Sequence, residues 1–301
     1  MDILILGGAG QVGTELQAYP WPKGVHAQAP SREALDITDE AAVAQIISER
    51  DWAAVINTAA YTAVDKAESD VAAAWRLNAL APAILAAETA RKKIPLVHVS
   101  TDYVFDGSDT DAYEPNTPIG PTSVYGASKA AGEMAVRTGN PRHAIVRTAW
   151  VVSPHRGNFV KTMLRLAAER DTLTVVDDQH GCPTSAADLA AALATIALRL
   201  VADAQAPTGT FHCVNAGATT WHGFAQAIVA GNAQRGGRAI PVEGIPTSAY
   251  RTPARRPANS QLSTASLTAA FGLTPRPWQE ALEDILDRLV GPRKAIEKAI
   301  P

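Results

Sequence analysis

A tyrosine and a lysine four residues apart, in Tyr125-Gly126-Ala127-Ser128-Lys129, carry the most pointed chemistry of this 301-residue chain. The segment reads as helix, and at that spacing a phenol and an ammonium project from one face. A free tyrosine has a pKa near ~10 and donates protons poorly at neutral pH, while a cation fixed beside it favours the phenolate. Bringing that value to about 7 asks for roughly 4 kcal/mol of differential stabilisation. One close lysine in a dry site, helped by a cationic cofactor, would supply much of it. A solvated helix face carries the same spacing, so the pair takes its meaning from its neighbours.

The first neighbour is at the N-terminus. Asp2 to Leu6 is a short apolar run suited to a buried parallel strand, and it leads directly into Gly7-Gly8-Ala9-Gly10-Gln11-Val12-Gly13. Gly8, Gly10 and Gly13 form G-x-G-x-x-G, while Gly7, Gly10 and Gly13 form G-x-x-G-x-x-G. A helix from Gln11 to Tyr19 follows. Glycines permit a tight turn and close approach of backbone to a pyrophosphate, and the helix N-terminus adds free N–H groups and a positive dipole end. Strand, glycine turn and helix together predict a dinucleotide site.

Two further strand ends bear on the chemistry. An acid after the second strand would select NAD through the ribose 2′-hydroxyl, whereas an arginine would accept a 2′-phosphate. Pro30, Ser31 and Arg32 stand there, with no acid until Glu33, which points to NADPH with NADH tolerated. A solvated loop arginine would look the same. The strand Val97-His98-Val99-Ser100 opens into Thr101-Asp102-Tyr103. Strand carboxyl ends face the ligand crevice of a doubly wound sheet, so Ser100 or Thr101 can bring a hydroxyl to a substrate carbonyl beside the nicotinamide.

The elements that must position these groups alternate in the βαβ manner. Strands are expected at Val25–Ala29, Ala54–Asn57, Leu96–Ser100 and Ala144–Arg147. Helices are expected from Asp39 to Arg50 behind a Thr38 cap, from Val71 to Lys92 with a break at Pro82, and from Tyr125 to Arg137. Further on come a helix at Asn158–Arg170, a strand at Leu173–Val176 and a helix at Ala186–Leu200, before Pro and Gly become frequent. The fold class is α/β: a Rossmann-type doubly wound parallel sheet with a smaller α/β substrate-binding lobe. Residues 1–150, joined by about 172–200, form the dinucleotide domain, and 151–171 with 201–301 form the interleaved lobe.

Composition sets limits. With 47% hydrophobic residues and 19% charged, the chain can bury a large core. A formal net charge of -3 provides no basic field for nucleic acid or an anionic membrane. No apolar run reaches transmembrane length, and Met1 leads straight into the first strand without a signal peptide. Cys182 and Cys213, the two cysteines, fit packing roles in a reducing cytoplasm. Scattered histidines give no metal-ligand spacing.

The glycine loop, Ser100-Thr101-Asp102-Tyr103 and Tyr125-x-x-x-Lys129 resemble the extended short-chain dehydrogenases/reductases. Finer signatures resemble the dTDP-4-dehydrorhamnose reductase family: Gly10-Gln11-Val12-Gly13, Leu35-Asp36-Ile37-Thr38-Asp39, Asn57 to Glu68, Ser100 to Gly107, Arg147-Thr148-Ala149-Trp150 and Asp178 to Thr184. The match runs from the first strand to Arg256-Pro257-Ala258-Asn259-Ser260. The resemblance implies that Gly7, Gly10, Gln11 and Val12 line the cofactor pyrophosphate, with Asp36 and Ile37 near the adenine. It places Ala60, Tyr61 and Thr62 along the cofactor ribose and phosphates. Thr101 would polarise a sugar C4 ketone, with Asp102 beside the substrate; Tyr125 would protonate its oxygen, and Lys129 would hold the nicotinamide ribose. Trp150 would pack on the sugar or its nucleotide, although burial alone makes it equally a core residue. The implied activity is NADPH-dependent reduction of dTDP-4-dehydro-L-rhamnose to dTDP-L-rhamnose, a precursor of lipopolysaccharide or cell-wall polysaccharide.

Chemistry separates neighbouring activities. A sugar-nucleotide dehydratase would carry a second carboxylate after Asp102, where this chain has Tyr103. Arg255 and Arg256 can clamp a substrate pyrophosphate or stand in solvent. Some relatives dimerise around Mg²⁺; Glu15 matches one ligand position, but a second position holds Ala187 and then Asp188, so a metal site is not expected. The expected partner is a small sugar nucleotide, with the chain a monomer or homodimer. Alternatives are a reductase of another 4-keto sugar nucleotide, or a non-catalytic NADP-binding regulatory subunit of the methionine adenosyltransferase type.

Overall fold

The structure is a computed structural model that describes residues 1–294. Strands β1 (Asp2–Leu6), β2 (His26–Gln28), β3 (Trp52–Asn57), β4 (Leu96–Thr101), β5 (His143–Thr148) and β6 (Gly209–His212) form one sheet in the order β6-β5-β4-β3-β1-β2. Every pairing in it is parallel. Both faces are covered, which is why β1 and β5 are buried along nearly their whole length rather than at alternate positions. Alternation along β1 sends Ile3 and Ile5 into one core with Leu189 and Leu193 of the Ala186–Ala202 helix. Leu4 and Leu6 enter the other core, with Val43, Ile47 and Leu85.

Helix α1 (Gln11–Ala18) follows the glycine loop, and α2 (Glu40–Glu49) lies between β2 and β3. Asp39, not Thr38, caps α2, accepting from the Ala42 N–H at 3.1 Å. Thr38 is drawn aside by Asp36, whose Oδ1 accepts from its N–H at 2.9 Å and its hydroxyl at 2.8 Å. The break expected at Pro82 is a single π turn, Arg76–Leu80, leading into α3 (Ala81–Arg91). Proline offers no N–H to the carbonyl four residues back, and the wide turn absorbs that missing bond. Helix α4 (Val124–Gly139) has two N-terminal anchors: the Ser123 hydroxyl accepts from Gly126 N–H at 3.1 Å, and Glu68 Oε1 accepts from Val124 N–H at 2.9 Å.

Two boundaries differ from expectation. Leu173–Val176, assigned from sequence to the dinucleotide domain, pairs in parallel with Val242–Ile245 in the smaller lobe. Gly209–His212, assigned to the lobe, is β6, the strand beside β5 in the main sheet. Strand partners are chosen by open sheet edges distant in sequence, so nothing local marks either choice. The lobe packs the helices Phe159–Glu169, Trp221–Ala233 and Trp278–Val290 around its own apolar core. Cys182 and Cys213 are buried free thiols, and burial pushes Cys213 up to about 12, as packing roles require. Among the described residues no helix is long and apolar enough to cross a membrane.

A buried ion pair ties α4 to β5. Arg147 donates from Nε and Nη2 to both oxygens of Glu133 at 2.8 and 2.7 Å, with its guanidinium carbon 4.9 Å from the centre of the Phe105 ring. Both members are essentially inaccessible, so losing one would strand the other charge, a defect of about 3–5 kcal/mol. Helix and strand end also meet through Gly126, where an added Cβ would fall 2.2 Å from the Tyr103 carbonyl oxygen. Gly126→Ala should therefore lift the start of α4 off the Thr101–Tyr103 turn and destabilise the protein by about 2 kcal/mol, read by chemical denaturation. An unchanged denaturation midpoint would show that the turn yields freely.

Candidate active site

The order of the sheet reverses between β1 and β3, and their carboxyl ends diverge to open a crevice. The glycine loop fills its floor. Gly7 has φ +81, and a Cβ on Gly13 would lie 2.2 Å from the Gly7 carbonyl oxygen, so only bare backbone closes this turn. Gly10 begins α1 with no side-chain cap, leaving the first helical N–H groups open to an anion. This cradle fits the diphosphate of a dinucleotide, which would lie along Gly10, Gln11 and Val12. The Gln11 side chain is itself engaged: its Nε2 donates to the Val151 carbonyl at 3.3 Å, and its Oε1 accepts from Ser153 Oγ at 2.7 Å and Asn158 Nδ2 at 3.0 Å.

At the far end of the crevice Arg32 is exposed, and with Arg76 it acts on the Asp36 carboxylate, which Thr38 holds below its ordinary range. Ile37 is buried. On the β3 side Ala60 and Tyr61 are partly exposed and Thr62 exposed. Tyr61 is fixed by Asn78, which accepts from its N–H at 2.8 Å and donates to its carbonyl at 3.1 Å. Asn78 Nδ2 also lies 3.0 Å from Ser128 Oγ, so the π turn of the preceding helix holds the β3 loop and α4 together. Neither Asn78 nor Glu68 was singled out from sequence. A polar residue four places before Pro82 is the one local sign of the first.

Thr101, Tyr125 and Lys129 come together where α4 meets the end of β4, all of them buried. The Thr101 hydroxyl donates to Asp102 Oδ1 at 3.0 Å and accepts from Tyr103 N–H at 3.2 Å. Lys129 Nζ donates to the Val99 carbonyl at 2.7 Å. The acidity expected of the phenol is reversed. Burial pushes Tyr125 well above the ordinary range and the Asp102 carboxylate adds to this, while the Thr101 hydroxyl pulls the other way. Burial also pushes Lys129 down to about 8, against the attraction of Glu133 one helical turn on. Desolvation therefore governs both groups, and at pH 7 the phenol holds its proton. Burial likewise pushes Asp102 up to about 6, and its Oδ2 has no partner among the described residues.

The smaller lobe closes the site. Arg256, expected on a substrate pyrophosphate, donates to Tyr103 Oη at 2.9 Å and Asp65 Oδ2 at 2.6 Å. Tyr103 packs edge-on against Tyr125, ring centres 5.4 Å apart, so this bond supports the ring that carries the proton. Arg255 is exposed. Trp150 is half-buried with φ +50 and stacks on Trp221 at 3.6 Å between ring centres, with Gly181 giving space for its indole. Lys66 is exposed, 3.9 Å from Asp70. Glu15 Oε1 accepts from Arg288 Nη1 at 2.7 Å and lies 2.9 Å from His155 Nε2, a cationic setting unlike that of a Mg²⁺ ligand. Among the described residues no three His, Cys, Asp or Glu side chains gather as a metal site.

Residues 1–290 match the family model for the RmlD substrate binding domain. The dTDP-4-dehydrorhamnose reductase of Sinorhizobium fredii is 42% identical over 282 residues, covering 93% of this chain and 95% of that one. A crystal structure of a dTDP-4-dehydrorhamnose reductase from Clostridium acetobutylicum is 38% identical with a TM-score of 0.89, covering 96% of this chain and 99% of that one. The dTDP-4-dehydrorhamnose reductase of Bacillus anthracis, solved in complex with NADP, is 33% identical with a TM-score of 0.88, covering 95% and 99%. With its glycine cradle, buried Thr101–Tyr125–Lys129 cluster and full-length kinship, the chain belongs to the dTDP-4-dehydrorhamnose reductase family.

Proposed function

We propose that this protein reduces the C4 ketone of dTDP-4-dehydro-L-rhamnose to dTDP-L-rhamnose, with NADPH as the favoured reductant and NADH tolerated. The observation that carries the reading is the buried Tyr125 phenol, protonated at neutral pH beside the Thr101 hydroxyl and one helical turn from the Lys129 ammonium. A dihydronicotinamide held in the crevice would supply hydride to the carbonyl carbon. Negative charge then develops on the ketone oxygen, and Tyr125 delivers its proton there, which a phenol kept neutral by burial is in the right state to do. Thr101 holds the same oxygen once its single proton swings from Asp102 to the substrate. Lys129 holds the nicotinamide ribose and draws the tyrosine charge that remains toward its ammonium. Asp102 is in place to accept the returning Thr101 proton.

Trp150 and Trp221 offer an aromatic face to the sugar or its base, and Arg32 reads the adenosine 2′-phosphate. The absence of a second carboxylate beside Asp102 speaks against elimination of water, as does Tyr103, whose phenol burial pushes up to about 12. Loss of NADPH absorbance on adding the 4-keto sugar nucleotide tests the reaction directly. Tight NADPH binding without turnover would favour a regulatory subunit instead.

Three outcomes check the assignment. Tyr125→Phe should lower turnover about 10²- to 10⁴-fold with NADPH affinity little changed; wild-type turnover would take Tyr125 out of the reaction. Lys129 is charged below about 8 and neutral above it, so kcat/KM for reduction should fall through that pH while Tyr125 is still protonated. An alkaline limb near the ordinary lysine value of about 10.4 would mean that burial does not govern this group. Arg32→Ala should weaken NADPH more than NADH in equilibrium titrations, and equal losses would exclude contact with the 2′-phosphate.

A further inference from the structure

The glycine loop, residues 7–14, contains no lysine or arginine, yet a dinucleotide diphosphate brings two negative charges to it. A cation reaches the loop from elsewhere. Residues 153–158, which follow the short strand Val151–Val152, lie across the loop as a strap. Ser153 and Asn158 both hold Gln11, His155 meets Glu15 of α1, and Arg156 Nε donates to the Ala9 carbonyl at 2.7 Å. Arg156 has φ +55, a conformation few side-chain-bearing residues adopt, and the contacts on either side of it hold that shape.

We propose that Arg156 is a cofactor-binding residue whose guanidinium, anchored on the glycine loop through Nε, closes over the dinucleotide diphosphate. The inference rests on the dinucleotide reading of this crevice. One N–H of the guanidinium is spent on Ala9, and its two terminal nitrogens make no hydrogen bond among the described residues. Four donors on a planar fork are thus free for phosphate oxygens. The side chain is exposed and forms no ion pair among the described residues, so no carboxylate competes for it. Glu15, the acid of α1 nearest the strap, is already engaged by Arg288 and His155. A sugar nucleotide also carries a diphosphate. The anchor on Ala9, one residue before the α1 N-terminus, places Arg156 on the dinucleotide side.

Calorimetric titration of the whole protein with NADPH and, separately, with thymidine diphosphate tests the assignment. Arg156→Ala and Arg156→Gly should each weaken NADPH about tenfold, Arg156→Lys should retain most of the affinity, and thymidine diphosphate should bind all three as it binds the wild type. The wild type should also lose NADPH affinity with added salt more steeply than Arg156→Ala. Unchanged NADPH affinity in Arg156→Ala would overturn the proposal, as would a loss confined to thymidine diphosphate. A loss that Arg156→Gly restores would trace to backbone conformation and overturn it equally. A wild-type protein that binds no NADPH would instead overturn the dinucleotide reading, and this inference with it.

Discussion

Lys129 carries its ammonium out of water and gives it to the Val99 carbonyl, where 2% of the residue remains exposed. Removing a charge from solvent is expensive unless it is met, and much of the local architecture meets this one. Val99 belongs to β4, so the bond locks α4 against the strand that presents Thr101. Glu133, one turn on, turns a carboxylate toward the same charge and is in turn clamped by Arg147 of β5. Helix, central strand and neighbouring strand are thereby held in one register, and the Tyr125 ring has little freedom left.

The same dryness decides the direction of the chemistry. Among buried groups the state without charge is favoured, so Tyr125 and Tyr103 keep their protons, Asp102 is drawn upward and Lys129 downward. A site tuned this way keeps its phenols protonated at neutral pH. The lobe contributes by contact rather than by titration. Arg256 reaches back 191 residues to Asp65 and braces Tyr103, which braces Tyr125. The smaller lobe and Tyr125 are coupled through two aromatic rings and one guanidinium.

Much of this was legible in advance. The β1–glycine–α1 unit, the alternating strands and helices that follow it up to β5 and the meeting of Thr101 with Tyr125 and Lys129 follow from periodicity and from the rule that strand ends face the crevice. Errors arose where a partner lay far off along the chain. The pairing of Leu173–Val176 with Val242–Ile245 and the insertion of Gly209–His212 beside β5 depend on which edges remain open after collapse. Even the cap of α2 turned on competition, since Asp36 took Thr38 and left Asp39 to serve.

What the sequence determined by itself is the set of reactive groups and their short-range geometry. The glycine spacing, the alternation of β1 and the four-residue step from Tyr125 to Lys129 are consequences of backbone repeat lengths, which need no tertiary context. Tertiary structure alone decided how those groups hold protons and which of them are already engaged. Proton affinity depends on how much water is excluded and which charges stand nearby, and both are set by residues such as Asp102, Glu133 and Arg256 arriving from separate elements. A spacing of four residues can align a phenol and an ammonium, but only the packed protein fixes the sign of their shifts.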